Sequence, residues 1–277
     1  MILLNTIKGE LRALEIEPKK SLGQNFLVNE GVYKKVVAAL EIKKNDTIIE
    51  VGPGLGTLTS YLAKSGAKII AVEKDRLLIA HLKNKFKDNK NVIIIEDDIL
   101  KFDPRNYELR TINYKLVGNI PYYLTSHLIR TAFEKWPRPE KIVLMLQKEV
   151  AQRIVARPPD MSLLAVSVQY YSKPEIISYV SRHSFYPAPE VDSAIIKLET
   201  LNPGVGTSEV KNFFKVAKAG FAGKRKQLIN NLAAGLKISK SEIHQKLSFV
   251  DINPQRRAET LTIEEWQKIT SSLFSRD

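Results

Sequence analysis

The chain has no cysteine, only three methionines and only two tryptophans among its 277 residues. Without thiols it can build neither a disulfide framework nor a thiolate metal site, which suits a reducing, cytoplasmic setting. Its four histidines, His81, His127, His183 and His244, are too scattered to suggest a metal centre. Long apolar runs are missing as well. The first forty residues are broken by Lys8, Glu10, Arg12, Glu15 and Glu17, so no signal peptide or membrane span is expected there, and no later stretch is long enough for one. Negative charge is in short supply: 30 Asp and Glu stand against 43 Lys and Arg, a net charge of +13. That balance points to a polyanionic partner; a merely basic soluble protein is the plainer alternative. Internal repeats and low-complexity tracts are absent too.

What is present alternates. A short amphipathic helix within 1–18 carries Leu4, Ile7, Leu11 and Leu14 on one side. Apolar runs at 47–51, 68–73, 92–96, 114–118 and 142–146 predict strands, with helical spacing at 57–64, after Asp75, at 124–136 and at 148–156. A helix over 161–171 and two closing strands, 176–180 and 194–198, complete the pattern. Seven strands alternating with helices predict an α/β domain with a mostly parallel sheet over 1–200. A Pro- and Gly-containing linker follows at 201–206. Beyond it every signal is helical, with capping boxes starting at Ser239 and Thr262. From 201 to 277 there are 13 Lys and Arg against 7 Asp and Glu, so 207–277 is expected to form a small basic helical domain.

The chemistry-bearing residues fall where strands end, which is where open α/β sheets bind ligands. Glu50-Val-Gly52-Pro-Gly54-Leu-Gly56 allows a tight turn with the backbone close to a ligand. Thr57 stands where the dinucleotide fingerprint needs its third glycine, which disfavours an NAD enzyme. Glu73, at the end of the second strand, is placed to accept ribose hydroxyls. Asp98, expected to end the third, can accept an adenine amino group. Together they point to an adenosine-bearing ligand, although each acid alone could be a helix cap or a surface charge. On the fourth strand end stands Asn119-Ile120-Pro121-Tyr122-Tyr123. An amide, outward carbonyls and an aromatic face suit a planar ring bearing an amino group. The Asn119 oxygen and the Ile120 carbonyl could take its two N–H bonds and turn the nitrogen lone pair toward an electrophile, while Tyr122 stacks on the ring. A plain proline turn capped by Asn119 is the competing reading.

Asn119-Ile-Pro-Tyr122 resembles the signature of amino-group methyltransferases. With Leu22-Gly-Gln-Asn-Phe-Leu27, the 50–56 turn, Gln147-Lys-Glu-Val-Ala-Gln-Arg153 and Phe185-Tyr-Pro-Ala-Pro-Glu-Val-Asp-Ser193, the chain resembles the ribosomal RNA adenine N6,N6-dimethyltransferases. These are related to the erythromycin-resistance methylases. The resemblance covers about 19–200 and weakens beyond. It implies a Rossmann-like class I methyltransferase fold using S-adenosylmethionine, without metal. Gln24, Asn25 and Leu27 would line the methionine end of the cofactor, over Gly52 and Gly54. Glu73 would hold its ribose, and Asp98 and Ile99 its adenine. Asn119 would border cofactor and target base; Tyr122 and Phe185 would stack on that base. It further implies dimethylation of two adjacent adenosines in the 3′-terminal hairpin loop of 16S rRNA, on a pre-30S particle and by a monomer. Lys224, Arg225 and Lys226 are expected to contact RNA, a solvated helix face being the alternative. Gln147, Glu149 and Arg153, at helical spacing, are expected to be a structural polar cluster rather than catalytic. Met161 departs from the family, which usually has an aromatic there. A methyltransferase fold retained only as an RNA-binding assembly factor is the rival function, which the intact Glu73, Asp98, Asn119 and Tyr122 disfavour.

Overall fold

The computed structural model describes residues 2–18, 24–107, 114–120, 124–201 and 207–274. These divide into two compact units. The first comprises the chain up to 151 together with 173–200; the second comprises 152–172 together with the chain from 201.

In the first unit, β2 (Thr47–Val51), β3 (Lys68–Glu73), β4 (Val92–Glu96), β5 (Tyr114–Asn119) and β6 (Lys141–Gln147) are parallel neighbours, joined by β7 (Ser172–Val180) and β9 (Ser193–Thr200). The order across the sheet is β4-β3-β2-β5-β6-β9-β7, with β9 antiparallel to β6. Every residue of β2 is buried, and all of β5 except its last residue. Such continuously buried runs belong to parallel strands covered on both faces. Helices α2 (Glu30–Leu40) and α3 (Thr57–Ala63) contribute Val36, Leu40 and Leu62 to a core shared with Ile48, Ile69 and Val117.

The chain runs outward through β2, β3 and β4, then returns to place β5 on the other side of β2. A crevice therefore opens between the carboxyl ends of β2 and β5. Gly118 permits the approach of these two strands: a Cβ there would lie 2.7 Å from the Val51 carbonyl oxygen. A second, two-stranded sheet pairs β1 (Phe26–Leu27) with β8 (Phe185–Tyr186), Leu27 opposite Phe185. Nothing in the sequence pattern announces it, because two residues carry no periodicity.

The second unit is helical. Besides α7 (Leu163–Gln169), it contains α8 (Thr207–Gly220), α9 (Leu228–Leu236), α10 (Lys240–Phe249) and α11 (Ile263–Phe274). Ser239 caps α10 by accepting from the Glu242 amide at 3.1 Å. Thr262 and Glu265 form the reciprocal capping pair expected at the start of α11. The domain boundary expected near 200 assigns 152–172 to the sheet domain. In the structure Met161, Ala165 and Val166 share an apolar cluster with Phe213, Leu228 and Trp266, so the segment packs with the helices. Met161 is buried there, where it packs as core.

Candidate functional site

The turn after β2 makes three uses of glycine. Gly52, Gly54 and Gly56 have φ of +62°, +59° and +76°, a region that costs a side chain little only when it is absent. A Cβ on Gly52 would meet nothing within 4 Å, one on Gly54 would touch the Phe26 ring at 3.3 Å, and one on Gly56 would collide with Phe86 at 2.7 Å. Gly52 thus keeps open space in the cleft, Gly54 admits Phe26, and Gly56 lets the turn close on the ring of Phe86.

Glu73, at the end of β3, turns into the same cleft. Its Oε2 accepts from the Gly54 amide at 3.2 Å, and its Oε1 accepts from the amides of Lys74 and Asp75 at 2.8 and 3.0 Å. Burial holds its pKa above the ordinary carboxylate value, while the Asp75, Lys74 and Gly54 amides pull it back down. Three backbone donors thus fix the carboxylate's direction. Beyond β4, Asp98 and Ile99 line the far side. Asp98 Oδ1 accepts from the Leu100 amide at 3.0 Å, and its own amide donates to Asp97 Oδ1 at 2.7 Å. Because β4 ends at Glu96, Asp98 is carried by the following turn and not by the strand itself.

Asn119 ends β5 and lines the cleft together with Gln24, Asn25 and Leu27. Its Nδ2 donates to the Asn25 carbonyl at 3.0 Å, which leaves Oδ1 as the acceptor. The 24–27 segment is itself anchored. Leu27 pairs with Phe185, and the Tyr33 hydroxyl donates to the Leu27 carbonyl at 2.9 Å. The structure thus gathers Gln24, Asn25, Leu27, Gly52, Gly54, Glu73, Asp98, Ile99 and Asn119 around one cleft.

Phe185, expected to stack on a target base, is 5% exposed and belongs to the apolar cluster with Leu27 and Tyr33. Its backbone pairing with Leu27 makes it an anchor for the 24–27 segment. Gln147 is a correction: it ends β6, so it does not share a helix with Glu149 and Arg153 of α6 (Lys148–Val155). Pro121, Tyr122, Tyr123 and the Leu22-Gly23 pair lie outside the described residues. Lys224, Arg225 and Lys226, in the helical unit, are exposed on the turn between α8 and α9 and not on a helix face. Asn231 braces that turn, its Nδ2 donating to the Gly220 and Gly223 carbonyls at 2.7 and 2.9 Å. Among the described residues no three His, Asp or Glu side chains form a metal site, and no helix is long and apolar enough to cross a membrane.

Two cleft residues escaped the sequence reading as individuals. Glu50 lies on β2 at 1% exposure, and burial pushes its carboxyl up to about 8, with Thr59 hydrogen bonds opposing and the Glu73 charge reinforcing. An acid inside an otherwise apolar strand was the available signal. Tyr33, in α2, offered none: at helical spacing it is one more core aromatic.

Residues 16–274 match the family model described as ribosomal RNA adenine dimethylase. A ribosomal RNA small subunit methyltransferase A from Dehalococcoides mccartyi is 47% identical over 96% of this chain and 92% of its own length. The protein of the same name from Clostridium botulinum is 40% identical over 98% of this chain and 99% of its own. Among solved structures, a dimethyladenosine transferase from Plasmodium falciparum aligns with a TM-score of 0.75 and 26% identity, covering 88% of this chain and 95% of that one. The 23S rRNA methyltransferase ErmE aligns with a TM-score of 0.74 over 91% of this chain and all of that one; at 23% identity it speaks for the fold alone.

Proposed function

The chain belongs to the ribosomal RNA adenine dimethylase family, and from that premise we propose how its cleft carries out the reaction. The protein is an S-adenosylmethionine-dependent enzyme that dimethylates adenine in ribosomal RNA. The donor set fits that cofactor: open space at Gly52, a carboxylate aimed by three amides at Glu73, and a second acid at Asp98. Glu73 accepts the ribose hydroxyls, Asp98 accepts the adenine amino group, and Ile99 packs against that ring. Gln24, Asn25 and Leu27 enclose the methionine end. When bound, S-adenosylmethionine supplies a methyl group on a sulfonium that departs as a neutral thioether.

The rest is positioning and polarisation. An exocyclic adenine amine is a weak nucleophile because its lone pair is delocalised into the ring. Asn119 Oδ1 and the Ile120 carbonyl accept its two N–H bonds and draw the nitrogen toward a tetrahedral shape, with Tyr122 stacked on the extruded base. The nitrogen sheds its proton after attack, so no strong base is needed. One N–H survives the first transfer and one acceptor still orients it, which makes a second transfer feasible. The single observation that carries this reading is the Asn119 amide, pinned through Nδ2 to Asn25 and so presenting Oδ1.

The substrate we infer is a pair of adjacent adenosines in the 3′-terminal hairpin loop of 16S rRNA, met in the cytoplasm on a pre-30S particle by a monomeric enzyme. The small-subunit names of the relatives and the +13 charge support it. Exposed Lys224, Arg225 and Lys226 supply phosphate contacts, which position the enzyme while the pocket reads the base. The test is Asn119→Ala in single turnover. Methylation should slow by roughly 10²–10³, as for loss of one preorganised polar group, with RNA binding intact. A wild-type rate would contradict the polarised-amine mechanism.

A further inference from the structure

The amino-terminal helix α1 (Ile2–Ala13) lies outside the sheet and contributes no residue to the lining of the cleft. It nevertheless meets three of the parts that build it. Ile7, Leu11 and Ile16 share one apolar cluster with Leu55 of the glycine turn and Leu78 of α4 (Arg76–Lys85), and Phe26 and Tyr186 pack against it. Lys8 adds a cation over the Tyr186 ring at 4.7 Å. The polar connection is more pointed. Glu10 pairs with Lys85 at 3.3 Å and approaches His81 at 3.7 Å, and Lys85 Nζ donates to the Leu55 carbonyl at 2.8 Å. That carbonyl sits between Gly54 and Gly56, both at positive φ. Glycine reaches that conformation easily and leaves it as easily, so a turn of this composition depends on its hydrogen bonds to keep one shape: Glu73 holds the Gly54 amide, and Lys85 holds the Leu55 carbonyl.

We propose that α1 is a strap: Glu10 orients Lys85, Lys85 holds the Leu55 carbonyl, and the 52–56 turn is thereby kept in its cofactor-binding shape. Glu10 and Lys85 are positioning residues that set affinity for S-adenosylmethionine without touching it. The inference rests on the reading of the cleft as the cofactor site. It separates the strap from ordinary packing, because packing alone would move stability and leave cofactor affinity where it was.

The test uses the full chain and S-adenosylmethionine calorimetry on Lys85→Met, Lys85→Arg and Glu10→Gln. Loss of a charged hydrogen bond predicts roughly tenfold weaker binding for Lys85→Met. Lys85→Arg, which keeps the cation and a donor, should restore most of it, and Glu10→Gln should fall between. The KM for S-adenosylmethionine should rise in step, with kcat at saturating cofactor and the KM for RNA unchanged. If Lys85→Met does not fold, Glu10→Gln carries the same prediction. Wild-type affinity in folded Lys85→Met or in Glu10→Gln would overturn the strap. A wild-type protein that failed to bind S-adenosylmethionine would instead overturn the cofactor reading beneath it.

Discussion

Glu50 faces the cleft from inside β2, where burial pushes its carboxyl up to about 8 against the pull of Thr59 and with the help of the Glu73 charge. A carboxyl raised in the fold keeps its proton there at a pH where the unfolded chain has lost it. Its contribution to stability is therefore complete below the unfolded value of 4.5 and disappears as pH rises toward about 8. Urea unfolding at pH 6 and pH 9 should show the wild type losing stability across that interval, and Glu50→Gln losing less. Equal slopes would contradict the burial account. At this scale the sequence disclosed residues at or just beyond strand ends: Glu73, Asp98 and Asn119 were legible because side chains past the covered run of a strand can face a ligand. Glu50 was not, since the predicted strand 47–51 and the glycine motif that include it gave it no role of its own.

Periodicity and apolar runs identified most elements, because the interiors of β2 to β6 are largely apolar, Glu50 and Lys115 excepted, and are bounded by turn residues. What it could not supply was partnership. The β1–β8 pairing joins residues far apart in the chain and only two residues deep. Segment 152–172 shows an apolar face, but a face does not say which neighbour will cover it; Phe213 and Trp266 do so. Gly118 shows how far one element depends on another. Placing a Cβ 2.7 Å from the Val51 carbonyl oxygen must push β5 from β2 at the crevice. Gly118→Ala should cost about 1–3 kcal/mol, in the range of overpacking, and should weaken S-adenosylmethionine binding as well. Denaturant unfolding and calorimetry together check this; a stable variant with unaltered cofactor affinity would show that the strand spacing is not critical.

For the whole molecule, the net charge of +13 is the feature the sequence made plainest and located least well. The turn carrying Lys224, Arg225 and Lys226 is exposed and braced by Asn231, which makes it a suitable phosphate contact. Replacing all three with alanine should weaken binding to immature 30S particles and flatten its salt dependence by up to about 3 in the slope of log K against log salt. S-Adenosylmethionine affinity should not move; an unchanged slope would take the gripping role away from this turn. The central claim is tested most directly by the product. The protein is incubated with labelled S-adenosylmethionine and either immature 30S particles or protein-free 23S RNA, and the nucleosides are analysed over time. The account predicts monomethyladenosine that appears and is consumed, with N6,N6-dimethyladenosine as the end point in 16S rRNA and little label in 23S. Label confined to 23S RNA, or monomethyladenosine accumulating as the final product, would contradict it.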